Sequence, residues 1–242
     1  MNIAFFSESY KPYLSGVTNS IETLKEGLEE LGHRVLVFSP HYPNAHELND
    51  VYRFPSLPAP YPGYRLTIPV PGKYLDLLRG ANIDIVHSHS PYQLGLLSMH
   101  YAKKLKVPFI FTMHTILSQY MHYIPLIPEK FSNFLMTAYI RRFCNKCRFV
   151  VVPTDKVRNK LQGSGVTAKI EVIPTGIDMA LVASANPEGV RKLYGIPEDA
   201  RVLLFVGRLA KEKNLFFLLK AFELILLKLE NVYLLIAAGG PL

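Results

Sequence analysis

Apolar and polar positions along this chain alternate between two rhythms. Short, nearly unbroken apolar runs recur: "NIAFF" at 2–6, "RVLVFS" at 34–39, "IDIVHSH" at 83–89, "PFIFTM" at 108–113, "RFVVVP" at 148–153 and "KIEVIP" at 169–174. Runs of Val and Ile without alternation suit strands covered on both faces. Between them the spacing turns helical. Val17, Ile21, Leu24, Leu28 and Leu31 recur at steps of four and three, one helical face, and Gly32 follows as a stop. Further helix is predicted over 92–105, much of 116–145, and 155–162. The stretch 40–72, rich in Pro and Tyr, predicts mostly loop. Strands alternating with helices predict an α/β fold around a doubly wound parallel sheet.

A second strand–helix–strand pattern follows the turn residues of "PTGID" at 174–178: strand 201–206, helix 214–229, strand 232–238. Two strands rarely form a stable sheet alone. The helix is apolar nearly all round, with a polar strip of Lys220, Glu223, Lys228 and Glu230, and such a helix expects cover on several sides. Residues 1–174 therefore predict a complete Rossmann-like domain. Residues 175–200 predict a linker with the first helix of a second domain, and 201–242 the opening of that domain, incomplete. Its apolar surface is expected to find cover in another copy of the chain, so self-association is expected.

Composition narrows the classes. With 49% hydrophobic and 19% charged residues, the chain is not a disordered one. Lys and Arg outnumber Asp and Glu 27 to 19, a formal net charge of +8. That favours an anionic partner without choosing among nucleic acid, phosphate esters and acidic lipid. No apolar run is long enough to span a bilayer. "MNIAFFSES" lacks the basic region and cleavage site of a signal peptide. Two cysteines make no disulfide framework, so a cytoplasmic setting is expected.

Open parallel sheets bind ligands beyond the carboxyl ends of their strands. Polar groups stand at several such ends here: Glu8 and Gly16 after the first run, His87 and His89 after the third, His114 and Thr115 after the fourth, Arg208 and Lys213 after 201–206. Gly16 precedes a helix, whose N–H groups hold anions, or is a turn glycine. His87 and His89 share a strand face and with His114 could ligate a metal. No Cys or carboxylate spacing accompanies them, so no metal is expected. Arg208 and Lys213 flank a strand-to-helix loop that opens with Gly207, with Asn214 placed to cap the helix. Arg grips a phosphate through two hydrogen bonds and Lys adds a point charge, so a diphosphate fits. The chain has no Walker A loop and no Asp-x-Asp pair. "GSGVTA" at 163–168 follows a helix and precedes a strand, the wrong order for a dinucleotide loop. The lone "CNKC" at 144–147 reads as two helix residues rather than a zinc or redox site.

In their order and spacing, "MNIAFFSESYKPYLSGVTNS", "DIVHSHSP", "TMHT", "VVVPTDKVRNKL", "VIPTGID" and "LLFVGRLAKEKN" resemble the retaining glycosyltransferases of family 4, with the GT-B fold. "HSHSPYQLGLL", "TMHTILSQYMHYIP" and "FPSLP" are most similar to the diacylglycerol glucosyltransferases among them. The resemblance implies transfer of a hexose from a nucleotide-sugar, UDP-glucose or similar, to an acceptor hydroxyl such as diacylglycerol's. It implies a backbone contact from Gly16 to the donor diphosphate, with Ser15 where the family has a first glycine. His114 would stand beside the donor sugar, and Arg208 and Lys213 would neutralise the leaving diphosphate. Glu8, His89 and Thr115 would line the acceptor side. No metal, cofactor or nucleic acid is implied, and a lipid acceptor brings peripheral contact with the inner membrane face.

One family feature is missing. The second domain of the family carries a Glu-x7-Glu motif for the donor ribose and sugar, and residues 201–242 hold none before the chain stops at "AAGGPL". The resemblance thus implies a fragment, with the acceptor half and the diphosphate cations, and little transferase activity alone. Two other classes remain at this stage. A nucleic-acid-binding Rossmann-like protein would use the positive charge, and a GT-B epimerase or hydrolase would set carboxylates beside the scissile bond.

Overall fold

A computed structural model describes residues 1–59, 64–115, 129–177, 179–210 and 213–239. The chain divides into two units, Met1–Ile177 and Asp178–Leu242. The first unit runs β1 (Asn2–Phe6), α1 (Gly16–Glu30), β2 (Arg34–Pro40), β3 (Val51–Phe54), β4 (Ser56–Pro58), β5 (Arg65–Thr67), α2 (Leu75–Gly80), β6 (Ile85–Ser88), α3 (Gln93–Leu105), β7 (Phe109–Thr112), α4 (Glu129–Cys144), β8 (Phe149–Val152), α5 (Asp155–Gly163) and β9 (Lys169–Val172).

Seven strands form one parallel sheet in the order β3-β2-β1-β6-β7-β8-β9. Strand order reverses between β1 and β6, which makes their carboxyl ends the switch point where such sheets bind ligands. Both faces are covered, as the apolar runs predict. Ile3, Phe5, Val35 and Val37 pack under Ile21 of α1. Ala4, Phe6, Leu36 and Phe38 face the other way, into a cluster with Leu78, Leu94, Tyr101 and Phe143. Each large side chain buried this way contributes about 1.5–3 kcal/mol.

One local expectation needs correction and another needs only detail. Among the described residues the stretch 40–72 is mostly loop, as expected, but it holds three short strands: β3 extends the main sheet beside β2, and β4 pairs with β5 as a small antiparallel hairpin. These strands are three or four residues long, too short to show a period. Asn214 does not cap its helix through its side chain. It adopts the left-handed conformation (φ 49°), open to Asn because its short polar side chain tolerates it, and its carbonyl accepts from Phe217 N and Leu218 N. The helical reading of 116–128 lies outside the described residues.

The second unit holds α6 (Met179–Ala183), α7 (Pro187–Tyr194), β10 (Arg201–Arg208), α8 (Leu215–Leu226) and β11 (Val232–Gly239), with β10 and β11 paired in parallel. Among its described residues the buried apolar side chains are Ile196, Ala200, Ala210 and Val232. No residue of α8 is buried, and Phe216, Phe217 and Leu224 stand exposed on it. Among the described residues no helix is long and apolar enough to cross a membrane.

Candidate functional site

The switch point is knit together by buried hydroxyls. Ser7 Oγ donates to Ser9 O at 2.7 Å, and Ser88 Oγ donates to Ser90 O at 2.6 Å. Ser9 Oγ and Ser15 Oγ lie 3.4 Å apart, which links the end of β1 to the start of α1. Ser15 is the N-cap of α1, its Oγ accepting from Thr18 N at 3.1 Å. Gly16 is the first helical residue. A Cβ built on it would meet no heavy atom of the described residues within 4 Å, so among them space is open at the helix N-terminus.

Glu8 is 3% exposed. Both its carboxylate oxygens are engaged within the unit: Oε1 accepts from Leu94 N at 2.6 Å, and Oε2 accepts from Thr67 Oγ1. Burial holds its carboxyl above the usual carboxylate range, against the lowering effect of those two bonds. It therefore ties β1, the β4–β5 hairpin and the first turn of α3 to one point.

Three histidines stand in a row beside it. His87 Nε2 meets Thr112 Oγ1 at 2.7 Å, and His89 Nδ1 meets His114 Nε2 at 3.0 Å. The rings of His87 and His89 lie 4.3 Å apart, and those of His89 and His114 5.3 Å apart. Phe5 packs edge-on against both His87 and His89, at 5.2 and 4.7 Å. Phe5 belongs to the cluster under α1, so the row lies on the face of the sheet that α1 covers. His87 and His89 are buried and His114 half buried. Burial keeps all three neutral: it pushes His87 down to about 3 and His114 to about 4, and holds His89 well below the ordinary value. His89 Nε2 is buried with no hydrogen-bond partner among the described residues. Among those residues no group of three or more His, Cys, Asp or Glu could hold a metal ion. Thr115 follows His114 and is half buried.

Arg208 and Lys213 belong to the second unit. Arg208 is the last residue of β10 and is half buried. Lys213 is exposed and its N–H donates to Ala210 O at 2.9 Å, closing the turn before α8. Its Cε lies 4.0 Å from a Cβ built on Gly207, so the side chain runs back beside the end of β10.

Sequence reasoning missed the serine network and the aromatic groups around it. Tyr13 stacks on Tyr42 at 6.4 Å and meets Tyr64 edge-on at 6.1 Å. Arg53 donates to Ser39 Oγ and to Lys11 O and lies over the Tyr10 ring. No periodicity announces these contacts, which join segments far apart in the chain. Cys144 and Cys147 are buried free thiols, Cys144 pushed up to about 12 by burial; Cys144 ends α4 as expected, whereas Cys147 lies in the turn beyond it and is not a helix residue.

The description "Glycosyltransferase Family 4" matches residues 14–181, and "Glycosyl transferases group 1" matches residues 188–242. The chain is 32% identical, over its whole length, to an alpha-monoglucosyldiacylglycerol synthase of Acholeplasma laidlawii, and spans 64% of that protein. It is 33% identical, again over its whole length, to the alpha-monoglucosyldiacylglycerol synthase of Streptococcus pneumoniae, and spans 56% of it. A solved sucrose-phosphate synthase from Thermosynechococcus elongatus superposes with a TM-score of 0.67 at 17% identity, over 97% of this chain and 61% of that one. That likeness shows the α/β fold of the GT-B type, and the sequence matches show the rest: this chain belongs to glycosyltransferase family 4.

Proposed function

We propose that the chain carries the acceptor side and the diphosphate cations of an enzyme that transfers glucose from a nucleotide-sugar, UDP-glucose first, to the hydroxyl of diacylglycerol with retention of configuration. The observation that carries this is the match, over the whole of the chain at about a third identity, to two proteins named alpha-monoglucosyldiacylglycerol synthase. Physical chemistry supports it. Cleavage of the sugar–phosphate bond develops negative charge on the diphosphate and positive charge on the ring. Groups that favour the first change stand in each unit: the open N-terminus of α1 at Gly16 in the first, and the side chains of Arg208 and Lys213 in the second. The neutral His114 stands by the sugar, with Thr115 next to the acceptor. The acceptor hydroxyl attacks the face that the leaving group departs from, and the departing phosphate takes its proton.

A lipid acceptor calls for contact with a membrane, and α4 offers a surface for it. Phe131, Phe134 and Leu135 are 56%, 69% and 46% exposed. Ala138, Arg141 and Arg142 continue the same helical face, and with Tyr139, Asn145 and Lys146 they line a hollow with no carboxylate in it. An apolar half followed by a cationic half suits a layer of anionic lipid, with apolar burial and charge attraction adding.

Two measurements test these readings. The full gene product is incubated with UDP-[14C]glucose and diacylglycerol in vesicles; a labelled α-glucosyldiacylglycerol is expected, and free glucose alone would sink the acceptor assignment. Flotation with vesicles of neutral or partly anionic lipid tests α4. Binding is expected on anionic vesicles, weakened by salt and by the double variant Arg141→Glu, Arg142→Glu. Equal flotation with neutral vesicles, or none with either, overturns the membrane reading.

A further inference from the structure

The contact between His89 and His114 has a consequence for the chemistry His114 can offer. We propose that His89 is a positioning residue that sets the tautomer of His114, so that His114 presents its Nδ1–H, a hydrogen-bond donor, to an oxygen of the donor sugar. This deepens the reading above and rests on it for the sugar.

A hydrogen bond between two neutral imidazoles holds one proton between them, and only two arrangements exist. In the first, His89 Nδ1–H donates to His114 Nε2. The proton of His114 is then on Nδ1, and His89 Nε2 is a bare acceptor. In the second, His114 Nε2–H donates to His89 Nδ1. His114 Nδ1 is then bare, and the proton of His89 lies on Nε2.

His89 Nε2 decides between them. It is buried without a hydrogen-bond partner among the described residues, and its ring is packed between Phe5 and His87 at 4.7 and 4.3 Å. The second arrangement buries an N–H with nothing to receive it. The first leaves only an unused lone pair. Orphaned buried N–H groups are the rarer and costlier of the two. The first arrangement therefore prevails, and the 3.0 Å contact imposes it on His114.

The backbone holds the geometry in place. His89 N donates to Phe6 O at 2.8 Å, continuing the β1–β6 ladder, and Met113 N donates to Val151 O at 2.9 Å just before His114. His87 is engaged separately by Thr112, so it does not compete for His114 Nε2. The pattern "HSH" followed by "MHT" is thus a pair of rungs on adjacent strands rather than three ligands around one ion.

The test reads the proton directly. The chain is labelled with 15N-histidine, and long-range 1H–15N correlations of the rings are recorded, with His114 assigned by its loss in His114→Gln. In the parent chain His114 is expected to show the Nδ1–H signature. His89→Phe keeps a ring in the packing and removes Nδ1, so His114 should lose that signature. His89→Asn returns a side-chain N–H near the position of Nδ1 and should restore it. A parent His114 protonated on Nε2, or a signature unchanged in His89→Phe, overturns the proposal. If His89→Phe fails to fold, the parent spectrum and His89→Asn decide, and an Asn variant without the signature counts against it. No glycosyl transfer enters these readouts. If the tautomer is as expected but His114→Gln leaves donor affinity intact, the sugar contact fails and the tautomer assignment stands.

Discussion

Gly16 and Gly95 look alike in the sequence, and the structure separates them. At Gly16 an added Cβ meets nothing within 4 Å and the backbone is not left-handed, so nothing among the described residues requires a glycine. The sequence left a turn glycine and an anion-site glycine equally open there, and the turn reading loses its reason. At Gly95 an added Cβ would lie 2.1 Å from the carbonyl oxygen of Ser90, in the loop that carries His89. That close approach joins α3 to the end of β6, and no spacing in the sequence reveals it. The two alanine variants should therefore behave oppositely. Gly16→Ala should melt no lower than the parent, since Ala is the better helix former, yet bind the donor diphosphate about tenfold more weakly, because its methyl fills the open space and holds the anion off the backbone N–H by about one hydrogen bond's worth. Gly95→Ala should lose about 1–3 kcal/mol of stability through overpacking. Thermal melts and a donor titration on each variant check both, and a lowered melting temperature in Gly16→Ala would make that glycine structural.

Among the elements, those with a clear period were legible and those tied together by distant groups were not. β1, β6, β7, β8 and β9 lie within the apolar runs, β2 runs one residue past its own to Pro40, and α1, α3 and α5 fall on their helical stretches, because burial on a fixed face leaves a repeating mark. β3, β4 and β5 are too short to leave one. The cap of α3 was hidden for another reason. Its N-cap position is Tyr92, which makes no side-chain capping bond, and the orphan N–H of Leu94 is satisfied by Glu8, 86 residues earlier in the chain. Glu8 was legible as a polar group on the binding rim and, through the resemblance, as an acceptor-side residue, but not as the partner of Leu94 N. Its carboxyl is raised by burial, so the folded chain holds that proton to higher pH than the unfolded one does. Stability from this group is present in full below the unfolded carboxylate pKa and is lost as pH rises through the folded value. Glu8→Gln keeps an acceptor for Leu94 N and a donor for Thr67 Oγ1 but cannot ionise. It should match the parent in acid and be at least as stable at pH 8, whereas Glu8→Ala should be destabilised at both. Urea denaturation at pH 5 and 8 checks this; a Gln variant weaker at pH 8 would show that the carboxylate charge is itself required.

For the molecule as a whole, nearly all the described buried side chains belong to the first unit, so its core sets the main unfolding transition. The histidine row gives that transition an acid limb. His87 is held down to about 3 and His114 to about 4, with His89 also well below its ordinary value, while in the unfolded chain each titrates near the usual 6.5. Between those values the unfolded chain binds more protons than the folded one. Stability is therefore fully present above about pH 6.5 and falls as pH drops toward 4, by about 1.4 kcal/mol per pH unit for each histidine that takes up a proton on unfolding. Glu8 acts in the opposite sense, which blunts the loss where the two ranges overlap. The melting temperature should accordingly change little between pH 8 and 7 and fall steeply from 6 to 5. His87→Gln can keep the bond to Thr112 and carries no titrating proton, so its acid slope should be shallower than the parent's by about one proton. Melts of parent and variant at half-unit steps of pH would show it. Parallel slopes would mean that His87 is already charged in the folded protein, and that the row is open to water rather than sealed beneath α1.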